Sequence, residues 1–437
     1  MAELKRHFTL TKLTFYGVGD ILGAGIYALI GKVAAEAGNL AWSSFLLATI
    51  VAIPTALSYA ELTSRYPKSG GVAVFVGRAF SNTYFPAIVG FLVLLSGLTS
   101  VAAGANAVHG YFSLFLEIPR WVIISIFLGG ISWINFRGID DSSKLNTLCV
   151  FAEAGGLLLI IGFGFFHWGD GNFATGRGET FLSKETLEGI GGAAVLAFYA
   201  TIGFEDMCNV SEEVKKPEQT VPRAILLSLV ITSLIYIGIA LTVVSVASYK
   251  ELGESSAPLA MVAERIIPFF SPKVVAALAI FSLTNTALAN LIMASRLLYG
   301  MSREGWIFKA LGFVHPQKQT PSVAILTVFV IALSIALSGT VKILGQTTSV
   351  VMLCLFIFVN LSLIVIRLRN LAPDSRLKIF QIPLLIPMLG IIVSAFLLTQ
   401  APREAFLRLL ILMIIGFLIY LPYKIFARPN RSLTPAD

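Results

Sequence analysis

The sequence predicts an all-α integral membrane protein with twelve transmembrane helices. Its 437 residues are 56% hydrophobic and only 13% charged, and the mean hydropathy is +0.84. Soluble chains carry about 25% charged residues, so this composition excludes an ordinary soluble enzyme and a disordered protein. Apolar runs close to the roughly 20 residues that cross a bilayer recur along the whole chain.

Turn residues separate these runs, as in the segment Tyr-Pro-Lys-Ser-Gly-Gly at 66–71. We place the twelve spans at 10–36, 40–63, 84–114, 120–136, 144–166, 188–211, 222–247, 273–301, 321–338, 345–367, 382–400 and 406–427. The amphipathic segment 248–272 predicts one short surface helix. No loop is long enough to form a separate soluble domain.

The basic residues predict the orientation. The formal net charge is +8, from 32 Lys and Arg against 24 Asp and Glu. With an even number of spans both termini share one side, and 22 of the 32 basic residues fall on that side. Because cytoplasmic loops are enriched in Lys and Arg, we expect both termini in the cytoplasm and the chain in a cell (plasma or inner) membrane. The orientation in the membrane then accounts for the excess of positive charge. No nucleic-acid partner or obligate protein partner is expected.

Two spans carry glycines at a position where a helix can unwind. Gly23 and Gly25 lie at the middle of span 1, and Gly203 lies at the middle of span 6. Glycine costs a helix about 1 kcal/mol relative to alanine, and unwound backbone at membrane depth lines a cavity or lies buried in protein. Equivalent breaks in two halves of a chain indicate an inverted-repeat transporter with a site at the bilayer midplane. Close helix packing by small residues is the alternative for span 1.

Away from the span ends, four carboxylates lie within the predicted spans: Asp20, Glu153, Glu205 and Asp206. A charged side chain at the bilayer centre costs about 2.5–3.5 kcal/mol on insertion scales, so such acids are functional candidates. A membrane enzyme is disfavoured, since no HExxH, GxSxG or Walker A motif is present. The histidines lack metal-ligand spacing and the three cysteines lie in apolar surroundings, which predicts buried thiols, no metal and no cofactor.

Three motifs resemble the amino acid–polyamine–organocation (APC) transporter superfamily, specifically its bacterial and archaeal amino acid permease branch. They are Gly23-Ala24-Gly25-Ile26-Tyr27 in span 1, Pro67-Lys68-Ser69-Gly70-Gly71 after span 2, and residues 198–225 in and after span 6. The resemblance covers spans 1 to 10. It implies a LeuT-like fold, in which a five-plus-five inverted repeat with broken helices 1 and 6 is followed by helices 11 and 12.

The resemblance also implies the domain organisation. The transporter core would cover 1–370, with repeats at about 10–166 and 188–367. Residues 371–437 would form the two additional transmembrane helices and a short cytoplasmic tail.

The site residues follow from the same resemblance. The substrate carboxylate would meet the amides of the first break, and its ammonium would meet carbonyls near Ile21 and in the second break. Tyr199 would cover the substrate as a gate, and Phe198 competes for that role. The implied substrate-binding set is Ile21, Gly23, Ala24, Gly25, Phe198, Tyr199, Ala200, Ile202 and Gly203.

The acids are assigned separately. Glu205 occupies a position where a related exchanger group carries a proton-linked glutamate, and a structural carboxylate at a helix end is the alternative. Glu153 departs from the family, because proton-coupled relatives carry a lysine there. It could carry the coupling proton, with a buried structural acid and sodium coordination as alternatives. Asp20 and Asp206 are gate candidates that would pair with Lys or Arg.

The resemblance implies a secondary active transporter without enzymatic activity. Proton-coupled uptake of neutral L-amino acids by alternating access is the expected function, with H+ favoured over Na+ as the coupling ion. Amino acid exchange and transport of cationic amino acids or polyamines remain open, as does amino acid sensing without net transport. The expected partners are the small-molecule amino acid and the lipid bilayer.

Overall fold

A computed structural model describes residues 8–67, 71–80, 84–137, 142–170, 173, 183–267, 271–303, 307–318, 320–373 and 379–426. Within these ranges the chain is helical, apart from loops and one isolated pairing of extended residues, Phe8 with Val214. Three residues of the predicted turn (68–70) and both predicted cytoplasmic termini (1–7 and 427–437) lie outside the described residues.

Helices occupy all twelve predicted segments, and the first and sixth segments are interrupted. The α-helices of the described chain are α1 Leu10–Ile21, α2 Ala24–Ala37, α3 Ala41–Arg65, α4 Gly71–Ala79, α5 Tyr84–Phe112, α6 Arg120–Arg137, α7 Ser142–Gly164, α8 Lys184–Thr201, α9 Pro217–Val246, α10 Tyr249–Glu254, α11 Pro258–Ile266, α12 Pro272–Arg303, α13 Ser322–Ser338, α14 Val341–Leu368, α15 Leu385–Thr399 and α16 Arg403–Phe426.

The length and surface of these helices indicate a membrane protein. Seven helical stretches of the described chain are long and apolar enough to cross a bilayer, or eight if the bent pair α15 and α16 forms one span. Large apolar side chains are exposed on the outside, including Trp121 at 64%, Phe166 at 83% and Leu385 at 71%. Soluble proteins rarely expose apolar patches on this scale. The protein is therefore a multi-pass membrane protein, and the full count of twelve spans stays a prediction.

Helices that lie five spans apart in the sequence pack against each other. The helix α2 packs on α8, and α3 packs on α9. The same holds for α5 with α12 and for α6 with α13. This pairing brings the two interrupted segments together in the interior of the protein.

The segment between α9 and α12 differs from the prediction of one surface helix. It forms two short helices, because Ser255 is extended and Pro258 begins α11. Proline suits the first turn of a helix but cannot continue one from the preceding turn. Arg265 pairs with Glu251 at 3.0 Å across the two helices, and the Arg265 guanidinium lowers the pKa of the Glu251 carboxyl to about 2.

A buried carboxylate holds α3, α14 and the segment before α15 together. Glu61 has no solvent exposure and accepts hydrogen bonds at 2.8 Å from the Nε atoms of both Arg65 and Arg367. Its second oxygen accepts the backbone N–H of Ile382 at 2.9 Å. One acidic side chain thus compensates two arginines and one backbone donor.

Candidate functional site

The first helix break leaves the start of a helix without a side-chain cap. The helix α1 ends at Ile21, and α2 begins at Ala24 after Gly23, whose φ is −54° and ψ is −138°. No side chain caps α2. The first N–H groups of a helix have no intrahelical acceptor and lie at the positive end of its dipole. This break can therefore bind an anion such as a carboxylate.

The second break frees backbone carbonyls. The helix α8 ends at Thr201, Ile202 is extended, and Gly203 has a φ of +129°. A short 3-10 helix, Phe204–Cys208, follows. Only glycine adopts this φ at low cost. The carbonyls of Phe198 and Tyr199 accept hydrogen bonds from the Thr201 hydroxyl and the Ile202 N–H. Those of Ala200 and Thr201 lack the donors of a continuing helix, so they can accept bonds from an ammonium group.

The two breaks lie against each other with no room for side chains. A Cβ atom on Gly25 would lie 2.4 Å from the Cα of Ala200 in α8. A Cβ atom on Gly203 would lie 2.9 Å from the backbone carbonyl of Asp20 in α1. Glycine is thus required at both positions by close approach, and at Gly203 also by backbone conformation.

A cavity of about 610 Å³ opens at the breaks. Most of the predicted substrate-binding residues line it: Ile21, Gly23, Gly25, Tyr199, Ile202 and Gly203. Phe198 and Ala200 do not line the cavity, and the Ala24 side chain lies outside the described set. Phe198 packs on Phe356 instead, with ring centroids 5.4 Å apart.

Two tyrosines fix the backbone and the predicted gate around this cavity. The Tyr199 hydroxyl lies 3.0 Å from the Ser100 hydroxyl of α5, which joins the two sides of the cavity. The buried Tyr236 hydroxyl donates to the Ile21 carbonyl at 2.5 Å. Sequence reasoning missed Tyr236, since a single tyrosine in an apolar span carries no motif. The Ile21 carbonyl, predicted to meet the ammonium, retains one lone pair for that purpose.

The acids near the breaks contact backbone and each other. The Glu205 carboxylate accepts the Gly203 N–H at 2.9 Å, as expected for a structural carboxylate at a helix end. Asp20 and Asp206 share a side-chain hydrogen bond, and the second Asp20 oxygen is buried without a partner. A bond between two carboxyl groups needs a proton on one of them. The predicted pairing of these aspartates with Lys or Arg is not found within the described chain.

Glu153 lies apart from the breaks, between α7 and α12. It is 3% exposed and accepts a hydrogen bond from the Ser282 hydroxyl. No ion pair with a basic residue is found for Glu153 among the described residues. Thr284 could offer an oxygen ligand to a sodium ion, but its hydroxyl donates a hydrogen bond to the carbonyl of Ile280 in its own helix at 2.6 Å.

Arg296 is a cavity residue that the sequence analysis missed. The orientation count includes it among the cytoplasmic basic residues although it lies inside the predicted span 273–301, and its side chain lines the cavity together with Asp20, Glu205 and Asp206. The guanidinium donates to the Ile292 carbonyl of its own helix at 3.3 Å. Hydropathy alone does not distinguish a basic residue in the last turns of a long helix from one in the loop that follows.

Comparison with known proteins identifies the family. The model of the amino acid permease family matches residues 8–423. The chain belongs to the amino acid permease family. It is 28% identical to the branched-chain amino acid permease BcaP of Bacillus subtilis, over 97% of this chain and 94% of that protein. The branched-chain amino acid permease BcaP of Lactococcus lactis is also 28% identical, over 93% of this chain and 92% of that protein. The mouse cationic amino acid transporter 4 is 29% identical over 85% of this chain, which spans 61% of that longer protein.

Membership in this family confirms the resemblance that was inferred from the three motifs. It implies a small-molecule amino acid as substrate, and the protein is a membrane permease and not an enzyme. Within the described residues, no group of three His, Cys, Asp or Glu side chains is arranged to hold a metal ion.

Proposed function

We propose that the protein is a secondary active transporter that takes up neutral L-amino acids by alternating access. The observation that carries this proposal is the arrangement of the breaks, which places the uncapped start of α2 and the freed end of α8 on one cavity. Amides at a helix start complement a carboxylate, and free carbonyls complement an ammonium. Every amino acid carries both groups, so this clamp binds the part that all substrates share.

The cavity lining favours a neutral side chain on the substrate. Apolar residues such as Val93, Met293 and Leu355 surround the breaks, and two bacterial relatives are named branched-chain amino acid permeases. Cationic amino acids are the second candidate. Three carboxyl groups also line the cavity, and other relatives are named cationic amino acid transporters.

Uptake of radiolabelled amino acids into proteoliposomes tests the proposal. We expect accumulation of leucine, isoleucine and valine in vesicles with an empty lumen, and little accumulation of arginine or lysine. Accumulation of arginine in place of leucine would favour the second candidate. Uptake only into vesicles preloaded with amino acid would indicate exchange, and binding without uptake would indicate a sensor.

The number of spans, the inverted repeat and the orientation in the membrane belong to the same proposal. We infer twelve spans, with a transporter core at 1–370 built from inverted repeats and two additional helices after it. Packing of corresponding helices on each other (α2 on α8, α3 on α9, α5 on α12, α6 on α13) supports the repeat, since elements close to a two-fold axis lie beside their equivalents. The bias of basic residues supports cytoplasmic termini in a cell membrane.

We further propose that the coupling ion is H+ and that Glu153 carries it. Glu153 is buried, lies beside a hydroxyl donor and has no described cationic partner, so its charge changes whenever it binds or releases a proton. Glu205 is the weaker candidate because the Gly203 amide already fixes its carboxylate. Sodium remains the less favoured ion.

Glu153→Gln should remove the pH dependence of uptake. In the wild type, acidifying the outside of empty vesicles should accelerate leucine uptake several-fold. Glutamine keeps the shape of the side chain and a hydrogen-bond acceptor for Ser282 but cannot titrate. The matched control is Glu251→Gln, which removes an exposed acid outside the predicted spans. A pH response that persists in Glu153→Gln would exclude Glu153 as the proton carrier.

A further inference from the structure

A second cavity, of about 420 Å³, lies apart from the cavity at the breaks and shares no lining residue with it. Its walls include Glu36 of α2, Gly192 of α8, Lys342 and Gln346 of α14, and Gln400 between α15 and α16. In the predicted topology these residues lie at the outer ends of their spans, so we name this cavity the outer pocket. Its volume falls within the range of about 300–1,000 Å³ that is typical of small-molecule sites.

Close contacts join the chain segments that form the outer pocket. The Lys342 ammonium pairs with the Glu36 carboxylate at 2.5 Å, which connects α14 to α2. A Cβ atom on Gly191 would lie 2.7 Å from the side-chain oxygen of Gln400, so the turn between α15 and α16 packs directly on α8. Segments that are distant in the sequence thus enclose one polar cavity.

Gln346 is a buried amide without a protein partner. It is 4% exposed and lines the outer pocket. Its side chain forms no hydrogen bond with any residue that the structure describes. Buried polar groups are normally hydrogen-bonded, because leaving water without a new partner costs free energy. The Gln346 amide therefore calls for a partner inside the pocket.

The ion pair in the outer pocket retains bonding capacity of both signs. The contact with Lys342 uses Oε1 of Glu36. The second oxygen, Oε2, faces Gly192, where a Cβ atom would approach it to 3.1 Å, and it accepts no hydrogen bond within the described ranges. An ammonium group has three N–H donors, and the ion pair does not occupy all of those on Lys342. The pocket thus offers donors on one side and a carboxylate oxygen on the other.

We propose that the outer pocket binds the zwitterionic head group of an amino acid. The substrate carboxylate accepts hydrogen bonds from the Gln346 amide and the Lys342 ammonium, which lie one helical turn apart on α14. The substrate ammonium donates to Oε2 of Glu36, and the ion pair stays intact. Ile343 and Pro402 provide apolar walls for the substrate side chain. This proposal rests on the proposed function, because it takes an amino acid as the ligand.

The helices α2 and α14 contribute to both cavities. Gly25 and Thr348 line the cavity at the breaks, whereas Glu36 and Gln346 of the same two helices line the outer pocket. Alternating access requires the outer ends of these helices to separate before the site at the breaks opens outwards. An amino acid in the outer pocket is therefore held at the predicted outer start of the transport path.

Leucine binding to the purified full-length protein in nanodiscs tests the proposal, because both faces of the protein are accessible there. We expect two radiolabelled leucine molecules per wild-type chain at saturation. Gln346→Leu should weaken one binding event about tenfold or more, since it removes a hydrogen bond to a charged carboxylate. The control is Gln219→Leu, which changes an exposed glutamine outside both cavities and should keep both events.

A second variant assigns the two binding events to their sites. In Gly25→Ala the added methyl group meets Ala200 and should disturb the site at the breaks, so one leucine per chain should remain. Adding Gln346→Leu to this variant should remove the remaining leucine. Gln346→Leu alone should unfold at no lower temperature than the wild type, since it breaks no hydrogen bond within the described chain. A loss of binding in that variant would then report the pocket and not the fold.

Analogues that lack one charge separate the outer pocket from nonspecific apolar binding. Isopentylamine lacks the carboxylate and 4-methylpentanoate lacks the ammonium, and neither should displace the leucine that Gly25→Ala retains. Displacement by either analogue, one leucine per wild-type chain, or two leucines bound with unchanged affinity by Gln346→Leu would overturn the outer site and leave the proposed function standing. A wild type that binds no amino acid would refute the proposed function itself.

Discussion

Gly25→Ala should reduce amino acid uptake by roughly two orders of magnitude, because misplacing a binding group by about 1 Å can cost about 100-fold in rate. A single methyl group at this position would lie 2.4 Å from the Cα of Ala200 and 2.7 Å from its Cβ. Neither backbone can yield without separating α2 from α8. Overpacking of this kind costs about 1–3 kcal/mol, and here the strain falls on the amides proposed to hold the substrate carboxylate.

Gly90 offers a matched control for this variant. It lines the same cavity from α5, but a Cβ atom there would meet no atom within 4 Å. Gly90→Ala should leave leucine uptake near the wild-type rate, since alanine also favours the helix by up to about 1 kcal/mol. Uptake into proteoliposomes is compared after size-exclusion chromatography confirms equal amounts of folded protein. Equal uptake by the two variants would show that the close approach of α2 and α8 is not needed for transport.

The position of both breaks could be predicted from the sequence because a glycine at mid-span is a local signal. Gly23 ends the interruption after α1, and Gly203 takes the positive φ that other residues avoid. The sequence could not show which surface each glycine faces. That depends on Ala200 and Asp20, which lie about 180 residues away along the chain from the glycines they contact.

The partners of the acidic residues were harder to predict. Attraction between opposite charges predicts basic partners for Asp20 and Asp206, but in the structure the two aspartates bond to each other. Their helices meet at the breaks, and this close contact decides which groups are neighbours. The hydrogen bond from Ser282 to Glu153 could not be predicted, because a serine in an apolar span more often bonds to its own helix.

The membrane environment explains why helices were easier to predict than contacts. In a bilayer the apolar pattern marks where helices lie, since every backbone group must be satisfied internally. The same uniform hydrophobicity removes the periodicity that identifies a buried face in soluble proteins. Polar contacts such as Tyr236 with Ile21, or Arg296 with the cavity, are therefore seen only in the structure.

Glu61→Gln should lower the free energy of unfolding by about 3–5 kcal/mol, as for the loss of one partner of a buried ion pair. The wild-type carboxylate neutralises Arg65 and Arg367 and accepts the Ile382 N–H. A glutamine amide keeps one acceptor but carries no charge, so the guanidinium groups of the buried Arg65 and the partly buried Arg367 would be left uncompensated. The segment leading to α15 would also lose its anchor on α3.

Thermal unfolding of the detergent-purified protein measures this effect. The control is Glu251→Gln, whose partner Arg265 lies on the exposed side of α11 and whose carboxylate is largely solvated. Exposed ion pairs contribute at most about 1 kcal/mol, so this control should shift the midpoint little. Arg367→Gln, which leaves Glu61 paired with Arg65, should give an intermediate loss. If Glu61→Gln unfolds at the temperature of the control, then α15 and α16 are held to the core by apolar packing alone, and the buried charges contribute nothing to that attachment.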